Sequence, residues 1–166
     1  MPLELRSKVD SALVQSQALR LRAQPDSARN LLGPILAELG TKGYEDSPIF
    51  RRVQLEQSIN YTKSAKHLLA LETINKVVSS SCDKVEWATC AAAKLEWMVM
   101  ELAAGEKGRS RELLWESIAL IEREKLDHLA PQSLYELANW QAHFGYRDSV
   151  IYYLDSLFHL PQIPIA

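Results

Sequence analysis

An all-α fold of consecutive antiparallel helix pairs is what this 166-residue sequence predicts, and three observations carry it. Apolar residues such as Leu3, Leu5, Val9, Ala12, Leu13, Ala18 and Leu19 recur mostly at threes and fours, and no clean alternation persists long enough for a strand. The 6 Gly and 7 Pro stand mostly where one such stretch ends and another begins. Hydrophobic residues at 47% and charged residues at 24% describe a chain that buries a core, and at this length a single domain over 1–166 is expected.

The first helix is expected over 3–22. Gln24-Pro25-Asp26-Ser27 breaks it and opens a second over 25–39. Gly33-Pro34 places a kink there, because Pro removes a backbone donor and crowds the carbonyl four residues back. Gly40-Thr41-Lys42-Gly43 stops that helix, and Asp46-Ser47-Pro48 starts a third over 48–61, with Ser as cap and Pro in the first helical position. A break at Thr62 leads to a fourth over 63–79, although without Gly or Pro Tyr61-Thr62-Lys63-Ser64 also reads as the interior of one long helix. Breaks at Ser79–Asp83, at Gly105-Glu106-Lys107-Gly108, before Pro131 and at Gly145 set off helices over 83–104, 108–125, 131–144 and 147–160. Short links within pairs favour hairpins at about 3–40, 48–79, 83–125 and 131–160.

The second helices share a pattern: Ala28 before Leu31-Leu32, Ala65 before Leu68-Leu69, Ser110 before Leu113-Leu114, Val150 before Tyr153-Leu154. The small residue lets the hairpin partner approach, and the larger pair fills the groove between successive hairpins. Pair starts at 3, 48, 83 and 131 are separated by 45, 35 and 48, which predicts an irregular repeat. In the last pair, Leu137-Ala138-Asn139, Gly145, Val150-Ile151-x-Tyr153-Leu154 and Leu157 resemble a tetratricopeptide repeat, with Pro161 one place early for its closing proline. The resemblance covers about 30 residues. It implies a right-handed superhelical array of about four antiparallel helix hairpins, a tetratricopeptide-like α-solenoid whose first helices line a concave face.

Nineteen basic and 21 acidic residues, interspersed, give a net charge of −2 and no stripe to neutralise a phosphate backbone, so nucleic acid is not expected as a partner. No apolar run spans a bilayer, and the charged N-terminal stretch lacks the apolar core of a signal peptide. With a helix beginning near Asp83, Cys82 lies outside it and Cys90 two turns in, too far along the axis for an unstrained bridge; two separate thiols suit a reducing cytoplasm or nucleus. His67, His128, His143 and His159 are scattered. Glu124 with His128 and Asp155 with His159 have one-turn spacing but no third ligand, so no metal is expected. Phosphate loops and nucleophile elbows are absent from the sequence, and no cofactor is implied. Cys90, with Lys94 one turn along, is the single nucleophile candidate, and it reads better as a small packing residue in Ala88–Ala93. An enzyme is therefore the remote alternative.

The fifth helix is apolar on two sides. Trp87, Ala88, Ala91, Ala92, Leu95, Met98, Val99 and Leu102 form one face; Ala93, Trp97 and Met100 lie on the other among Glu86, Lys94 and Glu101. In the next first helix Tyr135, Asn139 and His143 fall outside the buried stripe. Trp97, Met100, Tyr135, Asn139 and His143 thus outline a candidate partner-binding groove, with burial of Trp97 against neighbouring helices as the rival. In relatives of the resembled repeat, an Asn at the place of Asn139 holds a peptide backbone or carboxylate. The function expected is an adaptor or scaffold that binds a peptide or helix of a partner protein, or one segment of a larger assembly. A chaperone or peptide sensor capturing an unfolded or short client segment on the concave face is the alternative. Leu154, Leu157, Phe158 and Leu160 would support self-association of the terminal hairpin, and Pro161–Ala166 would pack across that end as a cap.

Overall fold

A computed structural model describes residues 1–158 of the chain. Eight α-helices follow one another: α1 (Leu3–Leu21), α2 (Pro25–Thr41), α3 (Pro48–Lys63), α4 (His67–Asp83), α5 (Trp87–Ala103), α6 (Lys107–Arg123), α7 (Ala130–His143) and α8 (Arg147–Phe158). A 3-10 turn, Asp127–Leu129, precedes α7, and no strand occurs among the described residues. The described residues gather into two compact units, one over Met1–Thr89 and one from Cys90 onward. The expected terminal cap at 161–166, the closing Pro161, Leu160 and the Asp155–His159 pair fall outside the described residues in whole or in part.

One backbone device ends all seven helices that have a successor. Ala23, Gly43, Ala65, Val85, Gly105, Lys125 and Gly145 each take a left-handed conformation, with φ between 54° and 84°. Each turn carries the same two bonds: Ala23 N–H donates to the Arg20 carbonyl and Gln24 N–H to that of Leu19, as Gly145 N–H does to Ala142 and Tyr146 N–H to Gln141. This 5→2 and 6→1 pair satisfies the last carbonyls of the finished helix. The within-pair turns at 23, 65, 105 and 145 are spaced by 42, 40 and 40 residues, and the between-pair turns at 43, 85 and 125 by 42 and 40. The repeat is therefore far more regular than the expected helix starts suggested.

Two boundaries move. The helix expected over 63–79 runs from His67 to Asp83, and the next begins at Trp87, not 83. Ser79–Asp83 does not break the chain; within the helix Ser80 and Ser81 donate their hydroxyls to the Lys76 and Val77 carbonyls one turn back, at 2.8 and 2.6 Å, and so do not compete with the helix as a cap or turn would. The true breaks, Ser64–Lys66 and Lys84–Glu86, contain neither Gly nor Pro. Pro34 does not end α2, which continues through it to Thr41.

Cys82 consequently lies in the last turn of α4 and Cys90 in the first turn of α5, on different helices, so the separation argued along a single axis does not apply. Both cysteines are disulfide-bonded and neither is a free thiol. This corrects the expectation of two separate thiols and removes the support it lent to a reducing compartment.

Val85 is the costliest of the turn residues. A β-branched side chain crowds its own backbone at φ 61°. Val85→Gly is expected to stabilise the protein by about 1 kcal/mol, the relieved strain exceeding the entropy that Gly adds to the unfolded chain. An unchanged or lowered urea midpoint would show that the turn is not strained.

In the first unit Leu5, Val9, Ala12 and Leu13 of α1 pack with Leu32, Ile35 and Leu39 of α2 and Val53 of α3, bordered by Leu31, Leu36, Tyr44, Ile49 and Phe50. Burying such side chains stabilises by about 1.5–3 kcal/mol each. Ala28, Ala70 and Ser110 each stand five residues after a turn and are fully buried, with Leu32, Ile74 and Leu114, also fully buried, four residues later. The small residue of α4 is thus Ala70. Ala65 is the turn itself, and Leu68 and Leu69, expected to fill a groove, are 83% and 45% exposed. In the second unit Ser117 donates to the Ala91 carbonyl at 2.9 Å and Trp140 Nε1 to Ser110 Oγ at 3.3 Å, tying helices through buried serines.

Candidate functional site

Helix α7 sets Tyr135, Asn139 and His143 four residues apart, so they form one ridge, and all three are exposed. Leu137 and Ala138 on the opposite side are buried and fix the helix. Asn139 Nδ2 donates to Glu136 at 3.3 Å, so the amide oxygen is not used in that bond.

Trp97 stands differently. It is partly buried, its Nε1 donates to Glu101 at 2.6 Å, and the Arg109 guanidinium lies 5.0 Å from its ring centroid. Met100 is only 8% exposed. Trp97 lies eight residues before Gly105; at the equivalent positions Gln57 and Leu137 are buried and Gln15 is exposed. Met100 lies five before its turn, where Asn60 is fully buried, Trp140 partly buried and Ala18 exposed. Of the expected set, Tyr135, Asn139 and His143 are exposed, Trp97 is partly buried and Met100 is buried.

Lys94, the residue one turn along from Cys90, is engaged in an ion pair. Glu116 pairs with Lys94 at 2.5 Å and Glu112 with Arg109 at 3.1 Å. Among the described residues no group of three or more His, Cys, Asp or Glu is placed to hold a metal, and no helix is long and apolar enough to cross a membrane.

A second feature, in the first unit, escaped sequence reading: a cavity of about 580 Å³ lined by residues that include Arg6, Asp10, Tyr44, Pro48, Ile49 and Arg52. None of these has a distinctive motif. Their common register emerges only when positions are counted from the turns.

No protein-family model and no curated protein matches the chain. Solved structures do. Two crystal structures of a Podosopora anserina protein with nearly identical TPR-like repeats of kinesin-light-chain type superpose on it, each at 19% identity. One has a TM-score of 0.73, with 99% of this chain and 82% of that chain covered; the other, a Q17M variant, has 0.72, with 95% and 75% covered. With eight helices, recurrent left-handed turns and these likenesses, the chain has the tetratricopeptide-like helical-repeat fold.

Proposed function

We propose that the chain is a protein-interaction scaffold that holds a peptide or helix of a partner on the α7 ridge and performs no chemistry. The observation that supports this is the exposed row Tyr135, Asn139 and His143, an aromatic and two hydrogen-bonding groups on a helix held rigid by its buried side. A rigid ridge loses little conformational entropy on binding, and tyrosine is a favoured anchor at interfaces.

The test uses the intact chain as bait in its native cells, beside a Tyr135→Ala/Asn139→Ala chain. Both positions are exposed, so the melting temperature should stay within about 2 °C. At least one folded protein should be retained by the parent and lost by the variant. Identical retained sets from the two baits would rule out the ridge. Retention of unfolded client segments alone would favour the chaperone alternative.

A further inference from the structure

The cavity of the first unit has a construction that the repeat alone does not supply. Asp10 and Arg52 each lie thirteen residues before a within-pair turn, and Ile49 and Thr89 each sixteen before theirs. The cavity therefore runs across equivalent positions of successive first helices. A further part of its wall comes from Tyr44 and Ser47, in the link Lys42–Ser47 between α2 and α3. That link has six residues where the others directly joining two α-helices have three, and it lengthens the local spacing between turns.

The charges in this cavity are not balanced. Arg52 faces Asp10 at 3.8 Å, beyond hydrogen-bonding distance, with both side chains well exposed. Arg6 has no ion-pair partner among the described residues. Two guanidinium groups thus meet one carboxylate, over a floor that offers Tyr44, Pro48 and Ile49. About 580 Å³ is the volume of a site that takes several side chains. Guanidinium groups bind carboxylates through paired N–H donors, and such charge-assisted bonds set specificity and steering.

We propose that this cavity binds an extended acidic segment of a protein partner, with Arg6 and Arg52 taking an Asp or Glu side chain and Tyr44, Pro48 and Ile49 an adjoining apolar one. The inference rests on the scaffold reading but assigns a site separate from the α7 ridge. Asp10 weakens the attraction and so limits binding to partners whose carboxylate reaches Arg6 as well.

A random dodecapeptide display library, selected on the intact chain and counter-selected on an Arg6→Glu/Arg52→Glu chain, tests it. Both arginines are exposed, so the variant should melt as the parent does. Enriched peptides should carry Asp or Glu beside a large apolar residue. Charge reversal at the two arginines, or Asp→Asn and Glu→Gln in the peptide, should weaken binding by at least about tenfold. Asp10→Asn should tighten it by about threefold, and added salt should weaken it. Peptides without acidic enrichment, or acidic peptides indifferent to the reversal, overturn the proposal. Peptides retained by the charge-reversed chain but lost with Tyr135→Ala/Asn139→Ala overturn it and leave the ridge reading intact. Failure to enrich any peptide also overturns it, while the cellular pull-down still decides the scaffold reading.

Discussion

Glu86→Ala is expected to destabilise the first unit by about 3 kcal/mol, read as a fall in the urea midpoint of the intact chain. The reason lies in its partner. Arg51 is 2% exposed and is among the largest fully buried side chains, on a helix whose interior is otherwise occupied by small and polar groups. Its Nε donates to Glu86 Oε2 at 2.8 Å, and its Nη2 pairs with the other carboxylate oxygen in a bidentate arrangement. The bond to Glu86 raises the pKa of Arg51 above its ordinary value, against the opposing effect of burial. Arg51 cannot shed its charge when Glu86 is removed, so a bare guanidinium stays buried. The link Lys84–Glu86 is held to the first unit at a second point, where Lys84 bonds Asp46 at 2.5 Å. That contact keeps Asp46 below its usual carboxylate range. Because Glu86 retains 17% of its side-chain exposure, the loss should sit at the lower end of the range for broken buried pairs. Arg51→Met/Glu86→Leu should recover most of it, since two apolar side chains leave no unpaired charge. A cost below about 1 kcal/mol for Glu86→Ala would mean that water reaches the guanidinium.

The all-α class and the number of helix stretches were legible because Pro25, Pro48, Gly105 and Gly145 mark real turns, and because α2 and α6 carry apolar faces at helical spacing. The regularity was hidden for two physical reasons. All four left-handed turns without glycine, Ala23, Ala65, Val85 and Lys125, have side chains that disfavour that conformation, and only Ala23 is announced, by Pro25 two residues on. Helix α3, in addition, buries Arg51, Glu56, Gln57, Ser58 and Asn60 beside a lone Val53, and a helix that buries polar side chains has no apolar stripe to read. A signal was nevertheless present. Gly105 and Gly145 are forty residues apart, as are Glu56, Glu96 and Glu136, and a search at that period would have aligned the helices. The exposure of Tyr135, Asn139 and His143 was legible because an exposed row on an amphipathic helix can be counted from sequence. The packing of Trp97 depends on Arg109 and Glu101, and the cavity depends on which first-helix residues share a register; neither is a property of a local segment.

Those buried polar residues of α3 are the basis of the second large effect. Ser16 Oγ donates to Glu56 at 3.1 Å, Asn60 Nδ2 donates to Ser16 Oγ at 2.9 Å, and Arg20 pairs with Glu56 while reaching Asn60 Oδ1 at 3.5 Å. The four side chains form a closed ring between α1 and α3, with Ser16 and Asn60 fully buried. Satisfied networks of this kind are strong in a low-dielectric interior, and their cost appears when one member is lost. Glu56→Ala removes the acceptor of both Ser16 and Arg20 and should cost about 2–3 kcal/mol, whereas Arg20→Ala, at a side chain that keeps 22% exposure, should cost about 1 kcal/mol. The double substitution should cost less than the sum, because Arg20 no longer has a charge to satisfy once both are gone. Strict additivity in that cycle would show that the ring does not act as a unit. The ring also bears on binding, since Arg52 lies one helical turn before Glu56 on α3 and Asp10 lies on α1 with Ser16. By holding α1 and α3 in one register it sets the distance between the two sides of the cavity, so Glu56→Ala should weaken capture of acidic peptides even at temperatures where the chain remains folded.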